Sequence, residues 1–302
     1  MATDNEKLNR ATGLLVIEVR DSNPNGDPDR ESDPRQRPDG RGEISPVSFK
    51  RKVRDLVQSD LKATNRGPVW EEIAKTFTPP LKEDQNCILE SRGRDRDAIK
   101  KELNDHKFAE KYWDARLFGN TFLEEAASTF IKSGVVQFGM GVSISPILVK
   151  RYTNTNKSGV QEGKDRGMAP LAYRIVEHGV YCMPFCVNPT AAVKSGCTKQ
   201  DINLLLNLIP YAYPHNPSYV RPFVEIRHAW YMEHKSPLGS CSDFALIDSM
   251  KPKRKPECDS EKPSKAWDEY NVPKKEDLPA DLKARILSIR DLMEETDGTS
   301  GT

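Results

Sequence analysis

The chain has 302 residues, 36% of them hydrophobic and 30% charged, and its 46 Lys and Arg nearly balance 45 Asp and Glu for a formal charge of +1. That length suits one elaborated domain or two small ones with a substantial core, and no apolar run approaches the roughly 20 residues a membrane helix needs. The balance excludes a uniformly basic nucleic-acid binder, so any polyanion must meet a local basic stripe offset by acidic surface elsewhere.

Residues 1–13 carry no apolar signal core, which predicts a cytoplasmic chain. Leu14 to Val19 (LLVIEV) is a short apolar run with β-branched residues and polar flanks, the pattern of a buried strand. Residues 21–43 follow, dense in Pro, Gly, Asp and Arg, a composition that predicts a long loop. Ser45 as cap and Pro46 at the first position then start a helix. Phe49, Val53, Leu56 and Val57 share its apolar face, and Lys50, Arg51 and Arg54 lie off it.

Residues 66–133 read as mostly helical and highly charged. ArgGlyArgAspArgAsp at 92–97 reads as solvated surface. Tyr112, Trp113, Leu117, Phe118 and Phe122 mark a segment that packs on the core. A strand is predicted over 135–149, with Val136, Phe138, Met140 and Val142 on one face. A basic, polar excursion follows, and a strand resumes from Leu171 to about Val187, giving a long hairpin with a projecting tip.

Thr198 to Ile209 is a second helix, capped by Thr198 with Asp201 three residues on and ended by Pro210. Phe223 to Glu233 is a strand. The order β, α, β, β, α, β is that of the α+β, ferredoxin-like fold shared with RNA-recognition modules. Residues 250–277 are rich in Lys and Pro and read as a linker. Leu282, Ile286, Ile289 and Met293 then predict an amphipathic helix over 278–295, and the Thr/Gly/Ser tail reads as disordered. No internal repeat is present, so the prediction is a single elaborated domain over 1–302.

ArgAspSerAsnProAsnGlyAspProAsp at 20–29, followed by SerPheLysArgLysValArg at 48–54, resembles the opening of the CRISPR-associated Cascade backbone (Cas7) family, types I-C and I-B. AspAlaArgLeuPheGly at 114–119, GlyValValGlnPheGly at 134–139 and SerIleSerProIle at 143–147 continue the likeness in the family's order. The resemblance implies a modified RNA-recognition fold: a palm at 12–62 and 134–240, a helical fingers insertion at 63–133 and a thumb at 150–170. It implies a crRNA-binding subunit that stacks head to tail on other copies of itself. Each thumb displaces one guide base, target DNA is met through the guide, and other Cascade subunits complete the partners. The charged fingers, the LeuPheGlyAsnThrPhe stretch and the long linker depart from the family pattern.

Gripping a guide of any sequence calls for contacts to phosphate and sugar, with base edges left free. Lys50, Arg51 and Arg54 place three cations on about one helical turn. Composition alone reads them as a solvated face, and the adjacent Asn/Gly loop favours the phosphate reading. Asn23, Asn25 and Gly26 form a turn able to offer N–H groups to a phosphate, or a plain surface turn. On the thumb, Lys150, Arg151, Lys157, Lys164 and Arg166 are candidate backbone contacts beside Tyr152, and Met168 is a candidate wedge for a displaced base. Arg116 reads as structural, paired with Asp114, or as reaching RNA. No aromatic stacking pair stands on the 14–19 strand.

The rival chemistries fit less well. Asp21, Asn23, Asn25, Gly26 and Asp27 mimic the start of a calcium loop, yet Ser32 replaces its closing Glu and Pro24 and Pro28 distort it. The six cysteines (87, 182, 186, 197, 241, 258) form no CxxC pair, so reduced thiols are expected. His178, Cys182, Cys186 and Cys197 lack the knuckle that fixes zinc. Asp21, Asp27, Asp29 and Asp33 would serve a type III-like subunit that cuts target RNA with a loop Asp and a divalent metal. The closer type I likeness predicts no enzyme, no metal and no cofactor.

Overall fold

The computed structural model describes residues 8–58, 66–90, 108–119, 134–156 and 169–297. β1 (Ala11–Ser22) occupies the middle of a large antiparallel sheet because nearly every residue in it is buried, on both faces. A strand covered on two sides needs an unbroken apolar run, and LLVIEV supplies it. The sheet reads β12-β9-β1-β8-β6-β4 across, with β5 and β7 also paired to β8. These strands are β4 (Arg41–Ile44), β5 (Val136–Phe138), β6 (Gly141–Pro146), β7 (Val149–Asn156), β8 (Ala169–Val187), β9 (Val224–His234) and β12 (Ile286–Asp291). Gly13 is required at its position, since a Cβ there would stand 2.1 Å from the ring of Phe185 on the paired strand.

One face of the sheet carries helices. α1 (Pro46–Val57) starts as predicted, with Ser45 Oγ accepting the Ser48 N–H at 3.2 Å and Pro46 in the first turn. Its Phe49, Val53, Leu56 and Val57 join Leu15, Ile17, Met183 and Phe185 of the sheet. α2 (Pro68–Thr76), α3 (Phe108–Lys111) and α4 (Trp113–Phe118) form a second layer, which buries Trp70 and Trp113. α5 (Pro189–Ser195) and α6 (Lys199–Leu208) complete this side, and Thr198 and Asp201 make a reciprocal capping box at the start of α6. The chain enters and leaves the 120–133 stretch at one point: a Cβ on Gly134 would meet the Phe118 carbonyl carbon at 2.1 Å and the Gly119 nitrogen at 2.4 Å.

The opposite face is covered by a C-terminal arm. α7 (Asp243–Met250), the short ladder β10 (Lys253–Arg254) with β11 (Tyr270–Asn271), and α8 (Ala280–Lys283) cross it and lead into β12. Leu246, Met250, Tyr270, Leu278, Leu282 and Ile286 cover Leu14, Val16, Val180, Cys182, Trp230 and Met232. Residues 250–277 are therefore not a free linker: a Lys/Pro-rich stretch follows the surface in turns, with sparse apolar anchors holding it down. The helix predicted over 278–295 is likewise replaced by α8, β12 and α9 (Leu292–Asp297). Ile286 and Ile289 have helical spacing, but a register shift between Ile286 and Ser288 accommodates them on an edge strand.

Two further expectations change. The strand predicted over 135–149 divides into β5, β6 and the start of β7. Its buried positions switch from Val136 and Phe138 to Gly141, Ser143, Ser145 and Ile147, so Val142 faces away from the first pair. The 21–43 loop is partly internal. It contains the two-residue pair β2 (Gly26–Asp27) with β3 (Asp33–Pro34), and Asn23, Pro24 and Asn25 are buried. The 92–97 run, Phe122, and the thumb residues Lys157, Lys164, Arg166 and Met168 lie outside the described residues.

Candidate nucleic-acid interface

β1 ends in a corner where three segments meet: the Asn/Gly loop, the 218–223 turn before β9, and the root of the β7–β8 hairpin. Ser22 Oγ accepts the Phe223 N–H at 2.9 Å, and the Asn23 N–H donates to Val220 O at 2.7 Å. The asparagines that read as phosphate donors are spent inside the chain. Asn23 Nδ2 donates to Ser32 O at 2.8 Å, and Asn25 Oδ1 accepts the Ser45 N–H at 2.7 Å, tying the loop to the start of α1. Gly26 permits close approach, but to Ser32: a Cβ would lie 3.0 Å from its carbonyl oxygen. The Ser45 bond also takes Asn25 Oδ1, one of the oxygens a calcium loop would need. Asn23 Oδ1 is buried without a hydrogen-bond partner.

The three α1 cations do not share a solvated face. Arg54 is 5% exposed; its Nε donates to Asp114 Oδ2 at 2.8 Å, a second nitrogen lies 3.2 Å from Glu90, and the guanidinium sits 5.1 Å from the Phe118 ring centre. Asp114 also accepts the backbone N–H groups of Leu89 and Glu90. Arg51 pairs with Asp55 at 2.7 Å and donates to Glu90 O at 2.7 Å. Lys50 is half-buried 5.0 Å over Phe118, its pKa lowered by burial and by Arg54. Arg54, predicted as a phosphate contact, is thus corrected to a buried structural ion. The α2–α4 layer covers the helix face that apolar periodicity left open. Arg116 is also structural, with Asp201 as partner at 2.6 Å in place of the predicted Asp114.

The cation that the sequence pattern does not single out is Lys52. It is 6% exposed, with Nζ 5.4 Å over the Tyr213 ring. Burial, with the positive charge of Arg221 adding to it, pushes its pKa down to about 8 against the opposing pull of Asp55. Arg221 is itself lowered by burial, and its Nε donates to Asn23 O at 2.9 Å. Neither makes an ion pair with a carboxylate among the described residues. Two desolvated like charges in one corner are costly unless an anion joins them.

Arg221 opens onto a cavity of about 560 Å³ whose walls include Asn23, Ser32, Arg151, Tyr173 and Arg174. Arg151 and Arg174 are directly opposed across β7 and β8. Such like-charge opposition is unfavourable in a ladder, and Asp33 relieves it by pairing with Arg174. Glu31 also lines the cavity, leaving cations in excess at its wall. Of the predicted thumb contacts, Arg151 is exposed here, while Lys150 pairs with Glu177 at 2.6 Å. Tyr173 lies nearly parallel to Tyr152 at 6.0 Å and edge-on to Tyr219 at 5.3 Å. Lys52 and Arg221 lacked a sequence signal, because their isolation depends on what folds against them. Tyr219, between Pro217 and Pro222, carried one in its turn composition.

The thiols are scattered. Cys182 lies in the arm-side core, where burial raises its pKa to about 12, and Cys197 lies in the helix-side core. His178 hydrogen-bonds Ser264 and Glu18. No group of three or more His, Cys, Asp or Glu suited to a metal occurs among the described residues, and no described helix is long and apolar enough to cross a membrane.

Residues 9–275 match the family model for CRISPR-associated protein Cas7. The chain belongs to the Cas7 family. A CRISPR-associated protein Cas7 of Haloferax volcanii is 46% identical over 222 residues, which cover 66% of this chain and 62% of that protein, so the match spans less than two thirds of the relative. Among solved structures, a CRISPR RNA-guided surveillance complex in a pre-nicking state contains a chain similar at 16% identity and a TM-score of 0.46, covering 74% of this chain and 78% of that one. A second CRISPR RNA-guided surveillance complex gives 16% identity and a TM-score of 0.44, covering 74% and 69%. Within this Cas7 chain the 20–29 motif has an internal role: its asparagines brace the corner in which Lys52 and Arg221 sit.

Proposed function

We propose that this Cas7-family chain is the guide-RNA-binding backbone subunit of a type I Cascade complex, of the I-C or I-B kind. Copies stack head to tail along the guide and support recognition of target DNA through it. The observation that carries the proposal is Arg221, opening onto a cavity edged by Arg151 and Arg174, with the unpaired Lys52 buried close behind it. A ribose-phosphate strand supplies the missing anion at regular intervals and makes no demand on sequence.

The strand order β9-β1-β8-β6 supports reading 12–62 and 134–240 as an RNA-recognition palm, with 63–133 as fingers and 150–170 as thumb. The sheet face opposite α1 and α6, where RNA-recognition modules stack bases, is under the arm. Guide contacts on this reading fall to the rim of the sheet. The chain acts without catalysis or cofactor, in the cytoplasm, beside other Cascade subunits. The state of the loop carboxylates supports the non-catalytic part: Asp33 is held by Arg174, and Asp27 accepts the Asp29 N–H at 3.2 Å.

The test is co-expression with a CRISPR array. Several copies of the chain are expected on each RNA of about one spacer-repeat unit, and Lys52→Glu with Arg221→Glu loses that RNA. A nucleic-acid-free monomer recovered beside the transcript refutes the proposal.

A further inference from the structure

The corner holds more than phosphate-binding charge. Tyr219 stands on a four-residue turn closed by the Arg221 N–H to Ser218 O at 2.9 Å and flanked by Pro217 and Pro222. The turn is anchored from beneath, since Val220 O accepts the Asn23 N–H at 2.7 Å. Proline on either side and a closed turn leave little backbone freedom to lose on binding. Yet the ring at the tip is 62% exposed, and Tyr152 beyond Tyr173 is 40% exposed. A tyrosine so little covered adds little to stability through burial. What the turn fixes is the position of an aromatic face beside Arg221.

Resting on the RNA-binding reading above, we propose that Tyr219 is a stacking platform for one unpaired guide base, with Tyr173 and Tyr152 continuing the aromatic ledge. The adjacent Arg221 and Arg151 hold the phosphates that flank it. An aromatic ring accepts any base on its π-face, so the platform suits a ligand whose sequence varies. Arginines at the ledge add charge without reading base edges. The site takes a nucleotide that is single-stranded at that step, because a paired and stacked base has no free face to offer.

The experiment uses the full chain and two fluorescently labelled probes of equal length: a single-stranded RNA of mixed sequence and the same ribose-phosphate chain made abasic. Tyr219→Leu keeps an apolar side chain on an exposed turn and removes the ring; Tyr219→Phe keeps the ring. Tyr219→Leu is expected to weaken intact RNA by between about 5-fold and about 150-fold. It should leave abasic RNA and the salt dependence of binding unchanged, and Tyr219→Phe should bind intact RNA like the unaltered chain. Equal losses on both probes, or no loss on intact RNA, overturn the platform and leave phosphate binding standing. Failure of the unaltered chain to retain either probe overturns both readings.

Discussion

Arg54 and Lys52 stand two residues apart on one helix and are buried to the same degree, yet their surroundings are opposite. Toward α4, every buried cation is answered: Arg54 by Asp114 and Glu90, Arg116 by Asp201 and three backbone carbonyls. Toward the Asn/Gly corner, Lys52 lies over the Tyr213 ring with Arg221 near enough to lower its pKa, and Asp55 pulls against that shift without pairing with it. A matched buried ion serves the fold, whereas an unmatched one stores a demand for an anion. Charge clustering in sequence therefore does not separate a cation that the fold has paired from one that it has left unpaired.

The largest expected effect comes from breaking the matched side. Asp114→Ala strands Arg54 and removes the acceptor for two backbone N–H groups, so a loss of about 3–5 kcal/mol in denaturant unfolding is expected. Glu18 offers a second matched site, on the arm side. Burial raises its pKa, but hydrogen bonds from His178 and Arg20 and the charge of Arg227 outweigh this and bring it down to about 2. Glu18→Gln should cost about 2 kcal/mol in the same assay. In the unaltered chain, Glu18's contribution is complete above pH 4.5 and is lost as pH falls toward 2, where the native carboxylate takes up its proton.

The unmatched side should behave in the opposite way. Lys52→Met removes a charge with no partner, so the free protein should gain about 1 kcal/mol while RNA affinity falls roughly 10-fold or more. The slope of its RNA affinity against salt should shrink by about 0.7, the share of a single phosphate on a single strand. Equal losses of stability and affinity would erase the distinction between the two sides. The same contrast can be tested by pH. Lys52 titrates near 8 in the fold and near 10.5 in the unfolded chain. Between those values the unfolded state binds the extra proton, so stability rises with pH across that window. RNA affinity falls over the same range, because only the ammonium form attracts phosphate. Both trends should be absent in Lys52→Met, measured by unfolding and by RNA titration at fixed salt.

What was legible in the sequence was what is decided locally. Ser45-Pro46 and the Thr198/Asp201 box start their helices where caps and first-turn residues require. The unbroken apolar run of β1 announced a strand covered on both sides. What was not legible depends on distant partners. Ile286 and Ile289 fit a helical period, and only the free edge of β9 turns them into a strand. Asn25 looked like a donor for a ligand, but its side-chain N–H goes to Gly26 O and its oxygen accepts the Ser45 N–H at the start of α1. Whether a lysine or an arginine is spent or spare is settled by a carboxylate some sixty positions away, as with Asp114 for Arg54.

Among the described residues, two pairs of positions separated in sequence are drawn together. Gly134 returns against Phe118 and Gly119, and Asn156 pairs with Ala169 at the far end of the hairpin. Where both ends of an excursion are already pinned together, extra length costs only a logarithm. Length added between either pair of ends should thus have small thermodynamic consequence for the sheet, so these are positions at which an inserted tag should be borne.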